Sequence, residues 1–298
     1  MNKNDLHFFL GGADLEMATI KNLLKKEGVA YSDAGLAWGA STSKYGDEIE
    51  KVAKEGKTPV IIELAVDSKL PDNVINVDHH NENASRPASI LQVCELLGVK
   101  PTREMQLVAA NDSGYIPAML AKGATKEEIN AIRYKDRACQ GITPEQEKQA
   151  EEAIAGAREV CGVTVIKMAH SKTATVTDRL FDPDKKQNIL IITPSNGDSY
   201  EVNYFGPEGI CRGAQREYEE YEDRYRWMGG FHDGIGYWGI GRSRENDSGE
   251  TIENFNAEAN KVIIGATNFI LTQNQEKQKG SKTLDPKVLA ALQDGLSK

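Results

Sequence analysis

Sulfur is scarce in this chain of 298 residues: Cys94, Cys139, Cys161 and Cys211 stand far apart and form no C-x-x-C pair. That excludes a disulfide framework and a cysteine-built zinc site, and leaves core packing as the default role for these thiols. Long apolar runs are also missing. Runs such as Val60-Ile61-Ile62 and Ile189 to Ile192 are far too short to cross a bilayer. Met1 to Asp5 has no basic region followed by an apolar stretch, so no secretory signal is read and a cytoplasmic location is expected. Positive charge is in deficit, with 36 Lys+Arg against 45 Asp+Glu, a net charge of −9 and a pI near 5.2. Such a chain has no global attraction for long nucleic acid, although a local basic groove could still hold a short oligonucleotide. Proline is sparse (10 residues, against 27 Gly), and 39% hydrophobic with 27% charged residues excludes collagenous, low-complexity and disordered classes. No internal repeat is apparent.

What is present in the first half is an alternation of strand-like and helix-like segments, the signature of an α/β sheet. Strands are expected at Leu6 to Leu10, Val29 to Tyr31, Pro59 to Ile62 and Val74 to Val77. Helices are expected from about Asp14 to Glu27, over Tyr45 to Lys54, around the Ile90, Val93, Cys94, Leu97 stripe, and near Arg103 to Ala110. The polar stretch Thr125 to Glu159, with a helical run from Pro144 to Arg158, reads as the end of a first domain, 1–158, running into a connector. A smaller α+β domain, 159–245, follows, with strands near Val163 to Met168, Ile189 to Thr193 and Tyr200 to Phe205. It continues with a charged helix over Gln215 to Tyr225 and a Gly-rich turn region over Gly229 to Gly241. A segment 246–298 closes the chain, with a helix through Ala259 to Ile270, a polar tail from Asn274 to Thr283 and a short helix after Pro286.

The acidic residues carry the functional signal. Asp14 and Glu16 follow the first strand, Glu63 ends the third, and Asp78-His79-His80 ends the fourth. In a parallel α/β sheet the carboxyl ends of the strands share one rim, so these side chains converge there, with Asp112 able to join them. Carboxylates that close repel one another unless a cation neutralises them. Carboxylates with an imidazole suit Mn²⁺ or Mg²⁺, whereas Zn²⁺ sites more often include sulfur or several His. Each residue also has an ordinary reading: Asp14 as a helix N-cap, Glu63 and Asp78 as turn residues.

Asp78-His79-His80 after a Val-containing strand resembles the signature of the DHH phosphoesterase superfamily. Four further matches follow the family's order: Gly11-Gly12-Ala13-Asp14-Leu15-Glu16, Ile61-Ile62-Glu63, Asn111-Asp112-Ser113-Gly114-Tyr115, and Gly229-Gly230-Phe231-His232, which resembles the GGGH signature of the DHH-associated second domain. The departures are Leu10 where the family commonly has His, Glu16 and Glu63 where it has Asp, Phe231 for the third Gly, and no Arg-Ser near Asn203-Tyr204.

The resemblance implies a metal-dependent phosphoesterase holding one or two divalent ions, Mn²⁺ before Mg²⁺. One ion would be held by Glu16, Glu63, His79 and Asp112, the other by Asp14 with Glu63 bridging. It places His80 beside the phosphate, with Asp78 orienting a His rather than binding metal. Gly229, Gly230 and His232, with Arg86 and Arg212, become the candidate substrate contacts. Trp227, Tyr237 and Trp238 are either base-stacking groups or core. The expected reaction is hydrolysis of a phosphodiester or phosphomonoester in a small nucleotide or short oligonucleotide. Pyrophosphate or short polyphosphate hydrolysis, or a nucleotide-binding regulatory protein without turnover, are the alternatives. No membrane or long nucleic acid is expected as a partner, and a homodimer is left open.

Overall fold

The computed structural model describes residues 2–37, 39–195, 200–221, 225–232, 234–241 and 252–279; of residues 232, 252–260 and 276–279 only the backbone is described. The chain forms two compact units, Met1–Ile142 and Thr143–Lys298.

The first unit winds around four strands, β1 (Leu6–Leu10), β2 (Ala30–Ser32), β3 (Thr58–Ile62) and β4 (Ile75–Val77), all parallel in the order β2-β1-β3-β4. Helix α1 (Leu15–Glu27) links β1 to β2, and α2 (Gly46–Lys54) links β2 to β3. Strand β1 is apolar at every position but His7, with buried residues on both faces, as parallel sheets require. Leu6, Phe8 and Leu10 pack with Met17, Ile20, Leu23 and Leu24 of α1 and with Ile90 and Val93 of α3 (Ser89–Leu97). Phe9 and Ile61 face the other way, onto Tyr45, Ile49 and Val52. Each of these fully buried side chains contributes about 1.5–3 kcal/mol relative to exposure. From β1 the chain steps to β2 on one side, then returns past β1 to β3 and β4. This reversal is a topological switch point, where α/β sheets open a crevice at their carboxyl ends.

Helices α4 (Arg103–Ala121) and α5 (Lys126–Cys139) complete the unit. Helix α4 runs past Ala110, where the sequence suggested an end, and carries Asp112 on its last regular turn. It then breaks at Gly114 and Tyr115, the latter at φ 59°, ψ −149°. Pro117 explains the break, since it has no N–H to give and its ring crowds the carbonyl four residues back. Helix α5 lies in the stretch expected to end the first domain. It is folded by a capping box between Thr125 and Glu128.

The second unit is built on a mixed six-stranded sheet, order β5-β6-β7-β8-β10-β9: β5 (Arg158–Val160), β6 (Val163–Lys167), β7 (Ile189–Pro194), β8 (Tyr200–Pro207), β9 (Arg226–His232) and β10 (Ile235–Ile240). Among the described residues of this sheet, only β6 and β7 pair in parallel. The division after Ile142, not Arg158, follows from α6 (Pro144–Ala155), whose Ala150 packs on Ile166, Met168, Ile189 and Ile191, and on Val176 of α7 (Ala174–Thr177). Arg158 itself opens the edge strand β5 rather than ending a helix.

Three further expectations are corrected here. The charged helix is α8 (Glu208–Glu217), set by the buried Ile210, Cys211 and Ala214, and not a helix over Gln215 to Tyr225. The closing helix is not a separate segment: α9 (Ile252–Lys279) gives Ile263, Ala266, Ile270 and Leu271 to the core with Tyr204 and Trp238. The tail does not begin at Asn274. That side chain is buried and donates to Ile270 O at 2.8 Å, while its Oδ1 accepts from Asn188 Nδ2 at 2.9 Å. The helix expected after Pro286 lies outside the described residues.

Candidate metal centre

The first unit brings the strand-end residues together at its switch point. Glu63 directly follows β3, and its N–H donates to Val77 O at 3.0 Å, tying it to the end of β4. Its φ of 52° is rare for a non-glycine residue and marks a backbone held by its surroundings. Gly11 makes that approach possible. A Cβ there would lie 2.3 Å from Ile62 O and 2.6 Å from Glu63 O.

His79 stands at the middle of the group. Its Nε2 lies 2.6 Å from Asp112 Oδ2, 3.4 Å from Glu16 Oε2 and 3.6 Å from Glu63 Oε1. Glu63, His79, His80 and Asp112 each offer a ligand atom, all within 4.8 Å of one another, and this group could hold a metal ion. Glu16 is anchored from its other oxygen: Oε1 accepts from the N–H of Ile90 in the first turn of α3, at 3.0 Å. That leaves Oε2 aimed at His79.

The atoms that face one another here are unsatisfied. Among the described residues, the buried side-chain N and O atoms with no hydrogen-bond partner are Glu16 Oε2, Glu63 Oε1, His79 Nε2, Ser89 Oγ, Asp112 Oδ2 and Arg226 Nε. All but Arg226 belong to this centre. The 2.6 Å approach of His79 to Asp112 is thus a close electrostatic contact and not an aligned hydrogen bond. Burial without a partner normally costs about 1–3 kcal/mol per group. Oxygen-rich donors with one or two imidazoles, orphaned together, are what a hard divalent cation satisfies.

Charge follows from that crowding. Contact with Asp112, then Glu16 and Glu63, pushes His79 up to about 12, despite burial. Burial pushes Asp14 up to about 6 and Glu16 up to about 8, and neighbouring carboxylates add to both. Glu63 is opposed by its own burial but ends below the usual carboxylate range through contact with His79, Glu16 and Ser89.

The sign of the pH effect is the same for the three raised groups. Each stabilises the metal-free fold below its unfolded pKa and loses that contribution as pH rises through its folded pKa. For Asp14 and Glu16 the loss runs from about pH 4 to pH 8, with His79 extending it upward. The opposing change at Glu63 falls below the ordinary glutamate value of 4.5, outside that window. A divalent ion held there would replace those protons, so the gain in Tm on adding Mn²⁺ is expected to be larger at pH 8 than at pH 6. Equal gains in thermal melts at the two pH values would contradict proton displacement.

Asp78 bonds within its own loop. Its Oδ1 accepts from the N–H of His80 at 2.9 Å and contacts His80 Nδ1 at 3.0 Å, while Oδ2 accepts from Asn83 Nδ2 at 3.0 Å. These contacts hold the carboxyl below its usual range despite partial burial. Asp78 takes up Nδ1 and leaves Nε2 as the other ring nitrogen of His80. Asp14 stands outside the four-residue group. It caps α1, with Oδ1 accepting from Met17 N at 2.8 Å, while Oδ2 and Glu63 Oε2 both come within 3.8 Å of the place a Gly12 Cβ would occupy.

The substrate contacts read from sequence are divided between the two units. Arg86 Nη2 donates to Asn76 O at 2.9 Å and to Gln92 Oε1, bracing the loop after β4. Arg212 belongs to the second unit, where Nε donates to Glu208 Oε1 at 2.6 Å and the guanidinium lies 4.4 Å over the Phe231 ring. Gly229 and Gly230 lie in strand β9, not in a turn. A Cβ on Gly229 would lie 2.8 Å from the Tyr237 hydroxyl oxygen and one on Gly230 2.9 Å from the Tyr237 ring, and Gly239 likewise clears Trp227. Those glycines make room for cross-strand aromatics. Trp238 is core, with Nε1 donating to Gln215 Oε1 at 3.0 Å. His232 ends β9, and its side chain lies outside the described residues.

Sequence reasoning missed Ser89, whose Oγ is buried beside Glu63, and Arg133, Asp136 and Arg137 on α5. The signal for the last three was available. Ile129, Ile132, Arg133, Asp136 and Arg137 fall at i, i+3, i+4, i+7 and i+8, so charged residues share the inward stripe of α5.

No family model matches this chain, and no curated protein sequence matches it. No helix among the described residues is long and apolar enough to cross a membrane.

Proposed function

We propose that the chain is a divalent-metal-dependent phosphoesterase, hydrolysing a phosphodiester or phosphomonoester bond in a small nucleotide or short oligonucleotide. The observation that carries this reading is the set of orphaned donors from Glu16, Glu63, His79 and Asp112, converging where the strand order reverses. The ordered resemblance to DHH phosphoesterases supports the substrate class, and the net charge of −9 favours short substrates over long polymers.

Glu16, Glu63, His79 and Asp112 would hold the ion, with Mn²⁺ preferred over Mg²⁺ on account of the imidazole. When bound, it supplies a Lewis acid for a phosphoryl oxygen and an acidified water, which is why no strong protein base is needed. The chain's own work is positioning. Glu16 is fixed by the α3 amide, Glu63 by the β4 carbonyl, and His80 by Asp78. His80 Nε2, on a side chain 35% exposed, is placed to hydrogen-bond the phosphate or to pass a proton to the leaving oxygen.

The test is a hydrolysis screen of mononucleotides, dinucleotides and inorganic pyrophosphate, with product separation by ion exchange. Mn²⁺-dependent products from a nucleotide, abolished by EDTA, are expected. Turnover of pyrophosphate alone would move the assignment to a pyrophosphatase. Saturable nucleotide binding without turnover would make the protein a regulatory binder.

A further inference from the structure

Arg133 lies outside every motif of the metal centre, yet it is 8% exposed and faces inward from α5. Its Nη1 donates to Asn111 Oδ1 at 2.9 Å and to Asp136 Oδ2 at 2.6 Å. Its guanidinium carbon lies 4.6 Å from the centre of the Tyr115 ring. Asn111 and Tyr115 flank Asp112 on α4, one just before it and the other at the break just after it. Tyr115 holds a backbone conformation that a non-glycine residue keeps only when its surroundings impose it, at a cost of about 1–3 kcal/mol.

We infer that Arg133 is a positioning residue for the metal centre. It grips α4 on either side of Asp112, and so fixes the direction in which that carboxylate leaves the helix toward His79. The inference rests on reading the centre as a metal site.

Stability alone does not account for the arrangement. Removing two charges from water costs several kcal/mol per ion, and a well-packed apolar pair of similar volume commonly does as well or better. The chemistry of the side chain fits a clamp: a planar guanidinium can donate in its plane to two acceptors while stacking its face on a ring. A lysine at 133 would keep the charge and lose that combined geometry.

The experiment measures Mn²⁺ affinity by the electron paramagnetic resonance signal of free Mn²⁺, together with metal-free thermal melts. It compares the full chain with Arg133→Lys and with the double variant Arg133→Met, Asp136→Leu. The double variant leaves no buried carboxylate without its cation, so it covers the case in which the single one does not fold. Both folded variants are expected to bind Mn²⁺ about 10–100-fold more weakly than the parent, the usual effect of removing a group that orients a ligand. A purely structural Arg133 would lower the melting temperature and leave the Kd of the folded protein unchanged. Variants within twofold of the parent Kd would overturn the positioning role and leave the metal site standing. A parent chain with no saturable Mn²⁺ binding would overturn both.

Discussion

Replacing His79 or Asp112 by Ala is expected to lower Mn²⁺-supported hydrolysis at least about 1,000-fold, or about 4 kcal/mol at 1.36 kcal/mol per tenfold. Without His79, the group loses the imidazole that Glu16, Glu63 and Asp112 all face. The carboxylates would then stay ionised side by side only at high cost, and would take up protons instead of metal. Without Asp112, His79 loses its closest partner, at 2.6 Å. The two variants should nevertheless fold, because neither side chain belongs to the apolar clusters on the two faces of the sheet. Circular dichroism and metal-free melts check the fold, and initial rates over a Mn²⁺ series check the activity. A folded His79→Ala protein at parental rate would remove the centre from the reaction.

The second large effect concerns Gly11→Ala. The added methyl would meet Ile62 O at 2.3 Å, Glu63 O at 2.6 Å and Glu63 C at 2.8 Å, all of them main-chain atoms that no side-chain rotation can move. Relief requires the end of β3 to part from β1, where Leu10 is in register with Ile62. It also requires Glu63, already at φ 52°, to shift. A loss of about 3 kcal/mol or more is expected, at the upper end for overpacking, with Mn²⁺ affinity falling at least tenfold as Glu63 is displaced. Gly12→Ala is the internal comparison. Its methyl would find Met17 Cε at 3.5 Å and two carboxylate oxygens at 3.8 Å, ordinary contacts that leave the fold within about 0.5 kcal/mol. Urea denaturation of the pair gives the answer, and equal stabilities would mean that the strand ends are not held as tightly as described.

The strand-end carboxylates were legible because two simple rules act together. Apolar runs mark buried parallel strands, and the rim rule then tells where the next polar residue points. Glu63 and Asp78 follow such runs directly, and Asp14 and Glu16 open the helix after one. The residues that fix the ligands were less legible. Ile90 gives Glu16 a backbone amide, which no side-chain pattern displays. Arg133 and Asp136 sit in a helix whose charge density reads as solvated surface until their register with Ile129 and Ile132 is noticed.

The second unit misled for a different reason. Gly229, Gly230 and Gly239 suggest turns to anyone counting glycines, but each clears an aromatic ring within an antiparallel sheet, a long-range pairing that local sequence does not reveal. Asn274 reads as tail because it is polar. It is buried because Tyr204 and Asn188, remote in sequence, complete its hydrogen bonds.

The most direct test of the metal centre is a calorimetric titration of Mn²⁺ into metal-stripped protein, with Asp112→Asn as the control. The control keeps the shape of the side chain and removes its charge. Saturable binding of one or two ions by the parent chain, weakened at least tenfold in the control, is the predicted result. An absence of saturable binding in the parent, or identical binding in the control, would contradict the account.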